Sequence, residues 1–182
     1  MNKWLLPALC GVLQAIISVV YIAMQGADGP VAFHGWNGTV LFVGRLAMAA
    51  GACTVAAGVL GSTEGRSWLL VLNGLALGAL GLVQCAFVRF PISFLTVSLL
   101  IIVMAMSIGI LNMVMARTRV WFFGAAGVIS VGFALTFLAL GLRWIRIEPG
   151  SRSDLLWLGS YFGFSAICML ALAVPKFRFK SG

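Results

Sequence analysis

The chain has 182 residues, of which 62% are hydrophobic and 9% are charged. Soluble globular domains carry about 25% charged residues. The composition therefore excludes a soluble globular domain, a disordered segment and a nucleic-acid-binding protein, and it is typical of a protein embedded in a membrane.

Six apolar runs follow one another along the chain, and a run of about 20 residues is enough to cross the hydrocarbon core of a bilayer. We predict spans at 4–25, 38–60, 68–88, 92–116, 120–142 and 154–174. Backbone groups cannot stay unpaired in lipid, so each span should be a helix. We expect an all-α polytopic membrane protein with residues 1–182 in a single transmembrane domain.

The first, third and fifth spans open in the same way, with a tryptophan that is followed by a glycine about two helical turns later. The pairs are Trp4 and Gly11, Trp68 and Gly74, and Trp121 and Gly127. This internal repeat indicates that the six spans are arranged as three repeated helical hairpins.

The net charge of +8 comes from 12 Lys and Arg residues, almost all at the ends of the spans, against 4 Asp and Glu residues. Basic residues accumulate on the cytoplasmic side of membrane proteins. Their distribution favours a multi-pass protein of the bacterial inner (plasma) membrane with both termini in the cytoplasm. We also expect contacts with anionic lipid head groups.

Arg45 is the most unusual residue, because it lies about two turns inside the second predicted span. A charge at that depth is costly unless it faces a partner or a cavity. Its candidate partners are Asp28, Gln14, Asn73 and Gln84. Arg45 either makes a polar contact inside the membrane, with an anion, a lipid head group or a substrate, or extends to the outer head groups.

His34 is the only histidine of the chain. Its ordinary pKa lies near neutrality, which makes it a weak candidate for a pH sensor or for a ligand of a haem or pigment. A polar residue at the membrane interface is the simpler interpretation. The expected place of His34 is a loop or the interface before the second span.

Two pairs of glycines are spaced four residues apart, which brings both members to one face of a helix. They are Gly74 with Gly78 and Gly159 with Gly163. Such faces let helices approach closely, either inside the bundle or in a homo-oligomer. We predict that these residues serve helix packing.

Motifs for catalysis or metal binding are missing from the sequence. The four cysteines lie inside apolar runs without metal-ligand spacing, and no acidic residue is expected to be buried in a span. We therefore predict no catalytic residue, no metal site, no cofactor and no enzymatic activity.

The segment from Arg66 to Gly74, followed by an apolar helix that ends at Arg89-Phe90-Pro91, resembles the central hairpin of the HdeD-like family of small bacterial membrane proteins. Gly44, Gly51 and Gly58 also resemble the spacing in that family. The resemblance implies six helices and a role in acid or envelope stress. The alternatives are an accessory subunit of a larger membrane complex and a transporter or channel with Arg45 lining a cavity.

Overall fold

The computed structural model describes residues 5–24, 31–60, 67–87, 94–116, 121–142 and 152–174. These residues form six α-helices, and each helix is long and apolar enough to cross a membrane. The helices are α1 Leu5–Met24, α2 Val31–Leu60, α3 Ser67–Phe87, α4 Phe94–Ala116, α5 Trp121–Gly141 and α6 Arg152–Ala173. The prediction of an all-α, six-span membrane protein is confirmed.

The largest difference from the predicted boundaries is at the start of α2. This helix begins at Val31, seven residues before Gly38, the residue predicted as the start of the span. Pro30 directly precedes Val31. Proline is favoured at the start of a helix because the missing N–H would have no partner there. The sequence alone marks where the apolar run starts, which is not where the helix starts.

The backbones of the six helices pack in a row from α1 to α5, with α6 on the other side of α1. Each of α1 to α4 packs against the next helix along the chain, and α6 returns to pack against α1. Residue numbers rise along α1 as they fall along α6: Gly11 lies near Leu170, and Gly159 lies near Ser18 and Ile22. These two helices are therefore antiparallel neighbours, although they are the first and the last of the chain.

Aromatic side chains join α5 to α6. The ring of Phe133 on α5 lies 6.2 Å from that of Trp157 and 5.6 Å from those of Tyr161 and Phe164, all on α6. Phe137 lies 6.1 Å from Tyr161. Large rings hold two helices further apart than glycines do, so α5 and α6 are spaced by aromatic packing.

The closest helix pairs are α2 with α3, α4 with α5, and α1 with α6. They differ from the hairpins that the repeat predicts, which join α1 to α2, α3 to α4 and α5 to α6. Two of the closest pairs are shifted by one helix, and the third joins the first and the last helix. The tryptophan repeat marks only the beginnings of the odd-numbered helices. The partner of each helix is decided by its glycine-bearing face.

Candidate functional site

The interior of the bundle contains eleven buried polar or charged side chains among the described residues. Such groups are costly in an apolar surrounding unless they find partners. Places where such side chains from different helices contact one another are candidate functional sites. They are Gln14, Ser18, Thr54, Asn73, Gln84, Ser98, Ser107, Asn112, Ser130, Asp154 and Ser165.

The candidate site is a cluster at one end of the bundle, formed by Tyr21 on α1, Gln84 on α3 and Asp154 on α6. The Gln84 amide donates a hydrogen bond to the Tyr21 hydroxyl. Asp154 lies close enough to Tyr21 to interact with it electrostatically. Tyr21 is 5% exposed, Gln84 8% and Asp154 4%. We call this the Tyr21–Gln84–Asp154 cluster.

The burial of Asp154 corrects the expectation that no acidic residue is buried in a span. Asp154 lies in the first turn of α6, which begins at Arg152. A carboxylate in the first turn is stabilised by the helix dipole and by unpaired backbone N–H groups. In the sequence, Asp154 marks only the edge of the sixth span, and nothing there indicates that it is buried.

Ser18 and Phe162 fix the relative positions of α1 and α6 beside this cluster. The Ser18 hydroxyl donates a 2.7 Å hydrogen bond to the carbonyl oxygen of Gly159. The rings of Tyr21 and Phe162 are stacked with their centroids 5.8 Å apart. Tyr21 and Asp154 are thus held on two helices that are tied together within about two turns of both residues.

A second group of polar contacts joins α1 to α2. The Cys10 sulfur lies 2.8 Å from the Thr54 hydroxyl oxygen, and the Gln14 amide donates to the Cys10 sulfur over 3.4 Å. Thr54 donates its hydroxyl hydrogen to the carbonyl oxygen of Ala50. A hydroxyl has one hydrogen to give, so the Cys10 thiol is the donor toward Thr54.

The same kind of bond from an amide to a thiol recurs between α4 and α6. The Asn112 amide donates to the Cys168 sulfur over 3.4 Å, and both side chains are fully buried. Cys10 and Cys168 are free thiols. Both lie inside apolar runs, where a thiol ordinarily packs as a small apolar side chain. The structure shows in addition that each accepts a hydrogen bond from an amide.

Arg45 does not face this interior. It is exposed, on the face of α2 opposite to the buried residues Val43, Ala47 and Ala50. Phe42 lies next to it on the outer face and is 50% exposed. The rotation of α2 thus places this side chain on the outside of the bundle. The alternative of a transporter or channel with Arg45 lining a cavity stays a prediction.

The candidate partners of Arg45 are also separated from it. Gln14, Asn73 and Gln84 are buried inside the bundle, whereas Arg45 is exposed on its outer face. Asp28 lies outside the described residues. Within the part of the chain that the structure describes, Arg45 has no ion-pair partner.

His34 lies near the start of α2 rather than in a preceding loop. Its side chain is outside the described part of the structure. Within the described residues, no group of three His, Cys, Asp or Glu side chains could hold a metal ion.

Three of the four predicted packing glycines lie where two helices touch. A β-carbon added to Gly74 would lie 2.7 Å from the carbonyl oxygen of Gly51 on α2. One added to Gly159 would lie 2.9 Å from Ile22, and one added to Gly163 would lie 2.9 Å from the Ser18 hydroxyl oxygen. These contacts are intramolecular: they join α2 to α3 and α1 to α6.

Gly78 differs from the other three. A β-carbon there would meet no atom within 4 Å, so it would enter open space. The backbone of Gly78 nevertheless matters, because a β-carbon on Gly51 would lie 2.6 Å from the Gly78 nitrogen. The backbone of Gly78 therefore packs against Gly51, while the side-chain position of Gly78 faces open space.

No family model, no curated protein and no solved structure matches this chain. The resemblance to the HdeD-like family stays a prediction. What the structure establishes is an integral membrane protein of six helices with a polar interior and an outward-facing arginine.

Proposed function

We propose that the protein is a non-enzymatic component of the bacterial inner membrane that takes part in acid or envelope stress, as its resemblance to the HdeD-like family implies. The observation that supports this proposal best is the Tyr21–Gln84–Asp154 cluster. It brings a carboxyl group and a phenol together on three helices.

The chemistry of the cluster suits a response to acid. The charge of a buried carboxyl group depends on proton concentration and on its neighbours. On α1, the titratable side chain that interacts with Asp154 is Tyr21. On α3, the residue of the cluster is the neutral Gln84. A change of charge on Asp154 would act at the contact between α1 and α6.

The orientation of the chain is part of the proposal. The distribution of basic residues assigns the C-terminal end of α1 and the N-terminal end of α6 to the outer side of the membrane. In that orientation the Tyr21–Gln84–Asp154 cluster lies near the surface that acid reaches first.

The test is an acid challenge of cells from which the gene has been deleted. We expect deletion to lower survival, the wild-type gene to restore it, and Asp154→Asn to restore it less well than the control Ser160→Ala. Ser160 lies on the exposed side of α6. Equal survival of the deletion strain and its parent would refute a role in acid stress.

Purification in a mild detergent separates this proposal from the accessory-subunit alternative. The proposal predicts a monomer or a homo-oligomer. A different membrane protein recovered in a fixed ratio would instead identify the chain as a subunit of a larger complex.

A further inference from the structure

The outer surface of the bundle carries an apolar groove between α2 and α3, with a volume of about 730 Å³. Its walls include Met48, Val59, Leu75 and Leu82. The volume lies in the range of about 300–1,000 Å³ that is usual for small-molecule sites. We call this the α2–α3 groove.

The groove arises from the close approach of the two helices. Gly51 and Gly74 bring the backbones together, and the Gly78 side-chain position opens onto vacant space. Leu75 and Leu82 project further out on α3, where they are 59% and 58% exposed. Small residues thus form the floor and large apolar residues form the rim.

Arg45 lies in line with this groove, on the side of Met48. It precedes Met48 by three residues and Ala52 by seven, and positions with this spacing share one face of a helix. Both Met48 and Ala52 line the groove, and Arg45 is exposed on the same side of α2. The positively charged side chain of Arg45 therefore lies at one end of the apolar α2–α3 groove.

The depth of Arg45 suits the head group of a lipid. Gly44, the residue before it, packs against Gly81 and Cys85 of α3, which lie six and two residues before the end of that helix at Phe87, or about 3–9 Å of helix. Side chains of a helix lean toward its N-terminus, so the guanidinium extends toward the nearer membrane surface.

The part of the groove nearest Arg45 is within reach of one acyl chain. From Met48 to Val55, both of which line the groove, α2 rises about 10 Å. This stretch lies about 5–15 Å along the helix from Arg45, and one leaflet is about 15 Å thick, or half of the 30 Å hydrocarbon core.

We propose that the α2–α3 groove binds an acyl chain of an anionic phospholipid whose phosphate pairs with Arg45. A guanidinium forms paired hydrogen bonds with a phosphate, and the apolar walls accept a hydrocarbon chain. This site goes beyond the proposed stress role and does not depend on it.

A second copy of the chain is a poorer occupant. It would cover Arg45 without offering a carboxylate from its described surface, because Asp154, the acidic residue of the described ranges, is buried. A charge covered by protein without a partner is costly in a membrane.

The test measures lipid binding to the purified full chain in a neutral detergent. Phosphatidylglycerol or phosphatidylcholine with identical acyl chains is titrated in, and bound lipid is counted by native mass spectrometry. We expect phosphatidylglycerol to bind about fivefold more tightly, the effect of one basic residue near an anionic lipid.

Three variants locate the site. Arg45→Gln should abolish the preference for phosphatidylglycerol. Gly78→Leu should fill the groove and reduce binding of both lipids to the level of background adducts. Gly132→Leu is the matched control, because a β-carbon at Gly132 on α5 also meets no atom within 4 Å. It should bind lipid as the wild type does.

Several results would overturn the proposal. These are equal affinity of the wild type for the two lipids, an unchanged preference in Arg45→Gln, or lipid binding by Gly78→Leu that equals that of Gly132→Leu. A wild-type dimer that Gly78→Leu dissociates would show that a second copy fills the groove. If circular dichroism shows Gly78→Leu to be misfolded, Ala52→Leu, at an exposed position of the same groove, takes its place.

Discussion

Gln84 on α3 donates a hydrogen bond to the hydroxyl of Tyr21 on α1, across 63 positions of the sequence. Both helices pack against α2, so this bond joins two helices that do not follow one another in the chain. It links α1 to α3 inside one end of the bundle, where Tyr21 also interacts with Asp154.

Breaking this bond should lower stability modestly. We expect Tyr21→Phe and Gln84→Leu each to lower the free energy of unfolding, with a coupling energy of about 0.6 kcal/mol between them, the average for hydrogen bonds between membrane helices. Unfolding of the two single variants and the double variant in mixed micelles gives this value. Thr136→Val is the control, because Thr136 is hydrogen-bonded to a carbonyl of its own helix. Additive effects of the two substitutions would show that the bond contributes nothing.

The contact between α2 and α3 should not tolerate a side chain at Gly51. A β-carbon there would lie 2.6 Å from the Gly78 nitrogen and 2.7 Å from the Gly74 oxygen, which are backbone atoms that cannot move aside alone. We expect Gly51→Ala to lower the free energy of unfolding by about 1–3 kcal/mol, the usual cost of overpacking.

Gly132→Ala is the comparison for Gly51→Ala, because the new methyl group would enter open space on α5. Its stability should equal or slightly exceed that of the wild type, since alanine is the better helix former. Thermal unfolding followed by circular dichroism distinguishes the two variants. Similar stabilities would contradict the close packing of α2 against α3.

The two fully buried thiols should be protected from reagents in the folded protein. Cys10 and Cys168 are both 0% exposed, whereas Cys53 and Cys85 are partly exposed. We expect a small maleimide to leave Cys10 and Cys168 unmodified until the protein unfolds. Mass spectrometry of peptides after labelling in detergent, with and without denaturant, measures this. Rapid labelling of Cys168 in the folded protein would contradict the packing of α4 against α6.

Removal of the Cys10 sulfur should lower stability, because two buried polar side chains lose a hydrogen-bond partner. Cys10→Ala leaves Gln14 and Thr54 without their shared neighbour, and we expect a decrease of about 1–3 kcal/mol in the free energy of unfolding. Cys53→Ala, at a half-buried position on α2, is the matched control and should cost less. The two losses should be compared under the same unfolding conditions.

The sequence by itself determined that this is a six-span membrane protein, because hydrophobic runs of the right length have no other stable form in a bilayer. It also determined where most helices begin and end, since charges and prolines cannot continue an apolar span cheaply. The structure places these boundaries close to the predicted ones, with the early start of α2 as the main exception.

The tertiary structure alone decided which way each helix is turned. Nearly every position of a span is apolar, so the sequence holds little information on which face is inside and which faces lipid. That rotation directs Arg45 outward, buries Asp154 beside Tyr21, and pairs α1 with α6. Close contacts between small residues set it, and those contacts join parts of the chain that are far apart in sequence.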